Sequence, residues 1–328
     1  MKTLALCAVV SILPLMAADA VGDKPAAAQK KWVMPKTPDG QPDISGSWSN
    51  ASNVPLERAK DLGAKEFYTA DEIAMRDARA AETARQADAQ ANLGAAHYDM
   101  SQFGLDRSHT KIAKSERTSI LTGPEGRVPP LLPEAQKRQN ERAAFNRVHG
   151  FDGPETRGLS ERCLWWANEG PPILPQGYNS NLAIFQGPGY VAIETEMIHD
   201  VRVIRLNSQH APAYIRQWFG DSIGHWEGNT LVIDTTNFSE KTQYRGSSEN
   251  LHVVERITRT DADSLLYQFT VEDPTAWAKP WSGEYSITRT NDRVFEYACH
   301  EGNLGMPNIL SGARADEERK AAAAAKAK

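Results

Sequence analysis

The sequence is poor in the features that would settle its function at once. Of its 328 residues only three are cysteine and eight histidine, and no two histidines stand in an H-x-H or H-E-x-x-H spacing, so no metal-binding motif is present. The adjacent pairs His199–Asp200 and His300–Glu301 do not help, because neighbours on a strand face opposite ways. Excess positive charge is also lacking: 37 Lys and Arg against 42 Asp and Glu leave a net charge of −5, with no basic stripe to meet a nucleic acid. Beyond the first twenty residues no apolar run is long enough to cross a bilayer. No internal repeat is visible. These absences point to a small-molecule ligand or substrate as partner, with no metal, no cofactor, no nucleic acid and no membrane span; oligomeric state is left open.

The chain opens with Met1-Lys2, the apolar stretch Leu4 to Ala17 and then Ala18-Asp19-Ala20. A positive start, a short apolar segment and small residues at the −3 and −1 positions describe a secretory signal cleaved after Ala20, and hence a periplasmic or secreted protein. Only Cys163 and Cys299 would remain after export. In an oxidising compartment they can pair or stay as two buried thiols, and spacing alone does not decide. Residues 21–158 read as an N-terminal extension. It holds a first short strand at Asp43–Trp48, a helix opened by the Thr69/Glu72 capping box and running to about Gln90, and a second helix from Glu134 to Val148. Gly150 to Gly177 is dense in Gly and Pro, the composition of a functional loop or a cover over a site.

The strand-rich part spans residues 159–314, with a disordered or helical tail over 315–328. In Trp218 to Phe238, apolar runs lie either side of Gly228-Asn229 and read as two antiparallel strands joined by a tight turn. Tyr190–Leu206 alternates, with Val191, Ile193, Met197, Val201 and Val203 on one face unless a turn near Met197–Asp200 shifts the phase. Leu251–Thr260 and Leu265–Asp273 flank Ala262-Asp263, and Tyr285–Thr290 and Val294–His300 flank Asn291-Asp292, as two further hairpins. The fold class is therefore mainly β: an antiparallel barrel or sandwich with an N-terminal helical and loop extension.

Candidate chemistry follows from the hairpin at Ala262-Asp263. Pairing Asp261 with Ser264 sets His252 opposite Asp273 and Arg256 opposite Phe269, with Glu255 on the other face. Charged groups on a face turned into a barrel are partly desolvated, which suits acid–base work. His252 with Asp273 would form a base and its orienter, and Arg256 and Glu255 complete the catalytic candidates; the alternative is a structural ion-pair ladder. Trp218, Trp226, Trp277 and Trp281, with His199 and His300, are candidates for holding a substrate. The GDSIG segment, Gly220 to Gly224, has the G-x-S-x-G spacing, but Ser222 is followed by a Gly-Asn turn into another strand with no helix, so a hairpin or bulge glycine pair is the better reading than a serine nucleophile. Function on this reading is an exported, cofactor-independent lyase, isomerase or hydrolase acting on a small amphipathic or aromatic substrate. A non-catalytic ligand-binding barrel is the alternative.

The segments GHWEGNTLVIDTTNF, ENLHVVERITR, FTVEDPTAW and YACHEGN resemble those of a family of secreted bacterial proteins of uncharacterised function, over about Leu159 to Arg314. More loosely, Gly46-Ser47-Trp48 followed by a strand meander is similar to the first strand of lipocalin-like (calycin) barrels, although here a helix and a long loop region intervene. The second likeness implies a barrel that holds a ligand. Neither carries over a catalytic residue.

Overall fold

Nine strands close into a barrel, and chain order is the order around it: β1 (Gly46–Ser49), β2 (Asn181–Gly187), β3 (Tyr190–Thr195), β4 (Val201–Leu206), β5 (Asp221–Glu227), β6 (Thr230–Thr236), β7 (His252–Arg259), β8 (Ser264–Glu272) and β9 (Trp281–Arg289). The structure is a computed structural model in which residues 32–91, 112–176 and 178–327 are described; the expected leader at 1–20 lies outside them. The barrel settles the choice between barrel and sandwich. Every neighbouring pair is antiparallel except β4 and β5, which run parallel through Arg205↔Ile223 and Leu206↔Gly224. Among the described residues three α-helices lie outside the ring: α1 (Ala70–Ala91), α2 (Pro133–His149) and α3 (Gly305–Lys326). The capping box forms at the start of α1, with the Thr69 amide donating to Glu72 Oε2 at 2.7 Å and the Glu72 amide to Thr69 Oγ1 at 3.3 Å. Residues 315–326 belong to α3, the helical form of the expected tail.

Alternation decides which side chains fill the barrel. Val253, Glu255 and Ile257 on β7, Leu265, Tyr267, Phe269 and Val271 on β8, and Trp281, Tyr285 and Ile287 on β9 are buried, while the residues between them are more exposed. Trp48 from β1 is fully buried among them, its indole under the guanidinium groups of Arg259 and Arg289. β1 therefore stands in the ring although it lies well ahead of the other strands in sequence, and the described residues from Val33 onward form one compact unit.

Two sequence expectations are corrected, and a third, left conditional on a turn near Met197–Asp200, is decided by that turn. The β7–β8 connection is a three-residue loop, 261–263, closed by the Thr260 amide on Ser264 O at 3.0 Å and by Asp261 Oδ1 accepting from the Asp263 amide at 2.7 Å. That one extra residue moves the register by one, so His252 faces Glu272 and Arg256 faces Gln268. The turn at Met197–His199 shifts the phase between β3 and β4, placing Arg202, Ile204 and Leu206 inside and Val201 and Val203 outside. No strand forms at 294–300, because the β9 edge it would need is occupied by β1 at Trp48↔Arg289 and Ser49↔Thr288. The chain instead turns over the barrel end, where Cys299 is bonded to Cys163.

The first half of β9 has no β1 partner and takes its neighbour from the extension. The Thr122 amide donates to Ser282 O at 3.0 Å and the Glu284 amide to Ile120 O at 2.9 Å. Gly283 is needed there, since a Cβ would sit 2.4 Å from the Phe269 ring and 3.1 Å from Ile120 O.

Candidate functional site

The residues singled out in the sequence fall in separate places. His252 lies on the outer wall, with Nδ1 2.6 Å from Glu272 Oε1 and Nε2 3.0 Å from Asp234 Oδ2. The chain of contacts continues from Asp234 Oδ1 to His210 Nε2 at 2.9 Å, from His210 Nδ1 to Asp221 Oδ2 at 3.0 Å, and ends on Arg205. Its hydrogen bond to Asp234, opposed by partial burial and aided by Glu272, pushes the His252 imidazole up to about 9. Arg256 also faces outward, to Glu227 at 2.8 Å.

Asp273 is buried and anchors a turn, accepting from Ser247 Oγ at 2.6 Å, the Thr275 amide at 2.8 Å and Thr275 Oγ1 at 2.7 Å. Ser222 is buried within β5 against Thr235 Oγ1 at 2.9 Å. Trp277 and Trp281 pack edge to face at 5.7 Å in the core, Trp218 packs against that core, and Trp226 donates to Gln41 Oε1 at 3.0 Å. His300 sits in an exposed turn. Only Glu255 and His199 lead toward the place where ionisable groups are most strongly perturbed.

That place is the barrel end where β3 hands over to β4. Glu255 is fully buried on the inner side of the wall. It is paired through both carboxylate oxygens with Arg202 from β4, and accepts from the Tyr267 hydroxyl at 2.6 Å. A buried pair of this kind holds only when the remaining lone pairs are satisfied, and Tyr267 does that. Beyond Arg202 is a cavity of about 10 Å³ lined by Glu169, Ile173, Ile193, Thr195, Asp200, Arg202 and Phe219. It has room for about one water.

Glu169 is the unusual member. Only 3 % exposed, it accepts from Gln176 Nε2 at 3.0 Å through Oε1, whereas Oε2 is buried without a hydrogen-bond partner. Burial, opposed by the Gln176 bond and reinforced by the Asp200 charge, pushes its carboxyl up to about 8. Burial also raises Asp200 and, against the amides of Asn181 and Asn179, Glu196. The turn between these two acids holds Ile198 at φ 62 and His199 at φ 51, two consecutive left-handed residues, the first β-branched. Backbone strain of order 1–3 kcal/mol per residue persists where the surroundings enforce it, and such positions cluster at functional sites.

The cover comes from both ends of the strand-rich part. Asn168–Pro175 plugs the end from one side; Tyr297 arches over from the other, its carbonyl 2.8 Å from His199 Nδ1. The Cys163–Cys299 disulfide, with Cα atoms 5.8 Å apart, joins the two arms. Among the described residues no three His, Cys, Asp or Glu side chains converge in a way that would hold a metal ion. No protein family matches the chain, and no curated protein or solved structure matches it. The geometry of this end is therefore what speaks to function. The Gly- and Pro-rich composition of 150–177 marks that segment as a cover but does not single out Glu169 within it, because the burial that perturbs its carboxyl comes from strands far along the chain.

Proposed function

We propose that the protein is an exported acid–base enzyme, of lyase, isomerase or hydrolase type, working at the covered end of the barrel on a small amphipathic substrate. The observation that carries this reading is Glu169: a carboxyl only 3 % exposed, pushed up to about 8 by burial, with an unpartnered oxygen beside a cavity that Asp200 also lines. A carboxyl that keeps its proton to about pH 8 is a general acid matched to neutral conditions, and Asp200, which burial makes a stronger base than a surface aspartate, is the complementary group. Two acids with different environments on one cavity give the acid and base roles. Ile173, Ile193 and Phe219 supply apolar contact, and Arg202 supplies positive charge at the cavity wall. The disulfide supports the exported reading, since such bonds persist in oxidising compartments.

The barrel interior is filled with side chains and the cavity is one water in size, so the reacting group enters there while the rest of the substrate lies under a displaced cover. The test is incubation of the purified protein with pooled glycosides, lactones and aromatic dimers, followed by mass, beside Glu169→Gln. Products formed by wild type and lost in the variant establish the enzyme, and their mass change names the reaction. A compound retained unchanged through desalting by the wild type, with no product, assigns this end to binding instead.

A further inference from the structure

The loop that carries Glu169 is held in an uncommon manner. Ile173 stands directly opposite Glu169 in an isolated antiparallel bridge, so the position of one fixes the other. Both backbone polar groups of Ile173 are taken by tyrosine hydroxyls from inside the barrel. The Ile173 amide donates to Tyr267 Oη at 2.7 Å, and Tyr285 Oη donates to Ile173 O at 3.1 Å. Tyr267 in turn donates to Glu255, whose other partner, Arg202, lines the same cavity as Glu169. Asn50 from just after β1 adds a bond to the next carbonyl of the loop, Leu174 O, at 3.3 Å. A loop segment with its amide and carbonyl both paired to buried side chains of a closed barrel has nowhere to relax, and each of these bonds left unmade would strand a buried group.

Resting on the proposed acid–base reading, we propose that Tyr267 and Tyr285 are positioning residues that clamp Ile173 from both sides and so hold Glu169 at its buried place beside Asp200 and Arg202. They touch no reacting atom. Their effect is on where Glu169 sits and how much water reaches it. The groups that face Glu169 are Asp200 and Arg202 from the β3–β4 side, Gln176 from its own loop, and Tyr297 from the arm after β9, whose phenol is raised by burial, then by Tyr178 and by Glu169. Moving the loop outward weakens the burial that dominates this set and leaves the Gln176 bond in place, so the carboxyl returns toward the ordinary range.

The experiment is Tyr285→Phe, which deletes one hydroxyl and keeps the ring, with Tyr267→Phe as the second variant. The Glu169 carboxyl is titrated by ¹³C-glutamate NMR in each, with the signal assigned by its loss in Glu169→Gln. This readout needs no substrate. In Tyr285→Phe the expected result is a fall of about one pH unit, a tenfold change in the ionisation constant, with the alkaline limb of turnover moving by the same amount. An unmoved titration in the folded variants, even with a lower melting temperature, would reduce the tyrosines to ordinary core residues and overturn the inference. If Tyr267→Phe fails to fold, the Tyr285→Phe titration alone decides. A shifted titration together with full turnover by Glu169→Gln leaves the clamp standing and removes the proposed catalytic role, so the two failures are distinct.

Discussion

Along the outer wall, His252 and His210 alternate with Glu272, Asp234 and Asp221; at the covered end, Glu169 and Asp200 line one cavity, Glu196 lies at the start of the turn that leads to Asp200 and is held by Asn179 and Asn181, and Arg202 is committed to Glu255. The residue types overlap, yet the two groups are pushed in opposite directions. On the wall, hydrogen bonds to opposite charges dominate: His252 is raised and Asp234, bonded first of all by His252, is lowered, so both are driven toward their charged forms. At the covered end burial dominates and all three carboxyls are driven toward neutrality. The difference is one of solvent, not of composition. A partly exposed chain of alternating charges favours its charged forms; burial away from opposite charge favours the neutral form of a carboxyl, most of all at Glu169.

The sharpest way to break this comparison is Glu169→Gln. Turnover should fall by about 10²- to 10⁴-fold, the range for loss of a general acid. Stability should respond in the opposite sense. Glu169 has a folded-state value near 8 against an ordinary 4.5, so the wild type is penalised as pH rises from 4.5 to 8, by up to about 1.4 kcal/mol per pH unit, because the unfolded carboxyl ionises while the folded one does not. The variant lacks that slope, and urea unfolding at pH 5 and pH 8 reads it directly. A wild type whose stability does not fall over this window would place Glu169 among ordinary carboxylates.

Next in size is Glu255→Gln, which leaves Arg202 buried without its counter-charge and should cost about 3–5 kcal/mol in chemical denaturation. Replacing Cys163 and Cys299 together by Ser should cost about 2–5 kcal/mol, read as a lower melting temperature that added reductant no longer changes. The smallest effect belongs to the wall. His252→Gln should cost no more than about 1 kcal/mol, since its side chain is 30 % exposed and its ion pairs are screened. That contribution is fully present below pH 6.5 and is lost as pH rises through about 9, so wild type and variant should converge by pH 10. If His252→Gln instead abolished turnover while Glu169→Gln did not, the chemistry would belong to the outer wall.

Strands are the most legible part of the sequence, and for a local reason. Alternation in 251–272 and the Gly228-Asn229 turn are properties of neighbouring residues, and β5 to β8 lie where those patterns place them. The capping box of α1 is local too. Features set by distance do not show. One extra loop residue, created by the Asp261 side chain bonding its own turn, moves the β7–β8 register and parts His252 from Asp273. The partner of Glu255 is Arg202, whose inward orientation depends on the phase shift at Ile198 and His199. Glu169 shares its cavity with Ile193 and Thr195 of β3 and Arg202 of β4, and its bridge partner Ile173 is bonded by the tyrosines of β8 and β9. A buried site is a statement about which distant strands meet, and alternation carries none of that.

The single parallel contact between β4 and β5 has a consequence of pure counting. Going once round a closed ring, strand direction must return to its starting sense, so the number of antiparallel contacts must be even. Nine staves make nine contacts, eight of them antiparallel, and the remaining one is obliged to be parallel. Held by just two residue pairs, that contact is a topological defect required by the odd stave number. The long excursion from Asn207 to Gly220, which carries the chain back to start β5 alongside β4, is the length of backbone that an odd-numbered barrel needs in order to close.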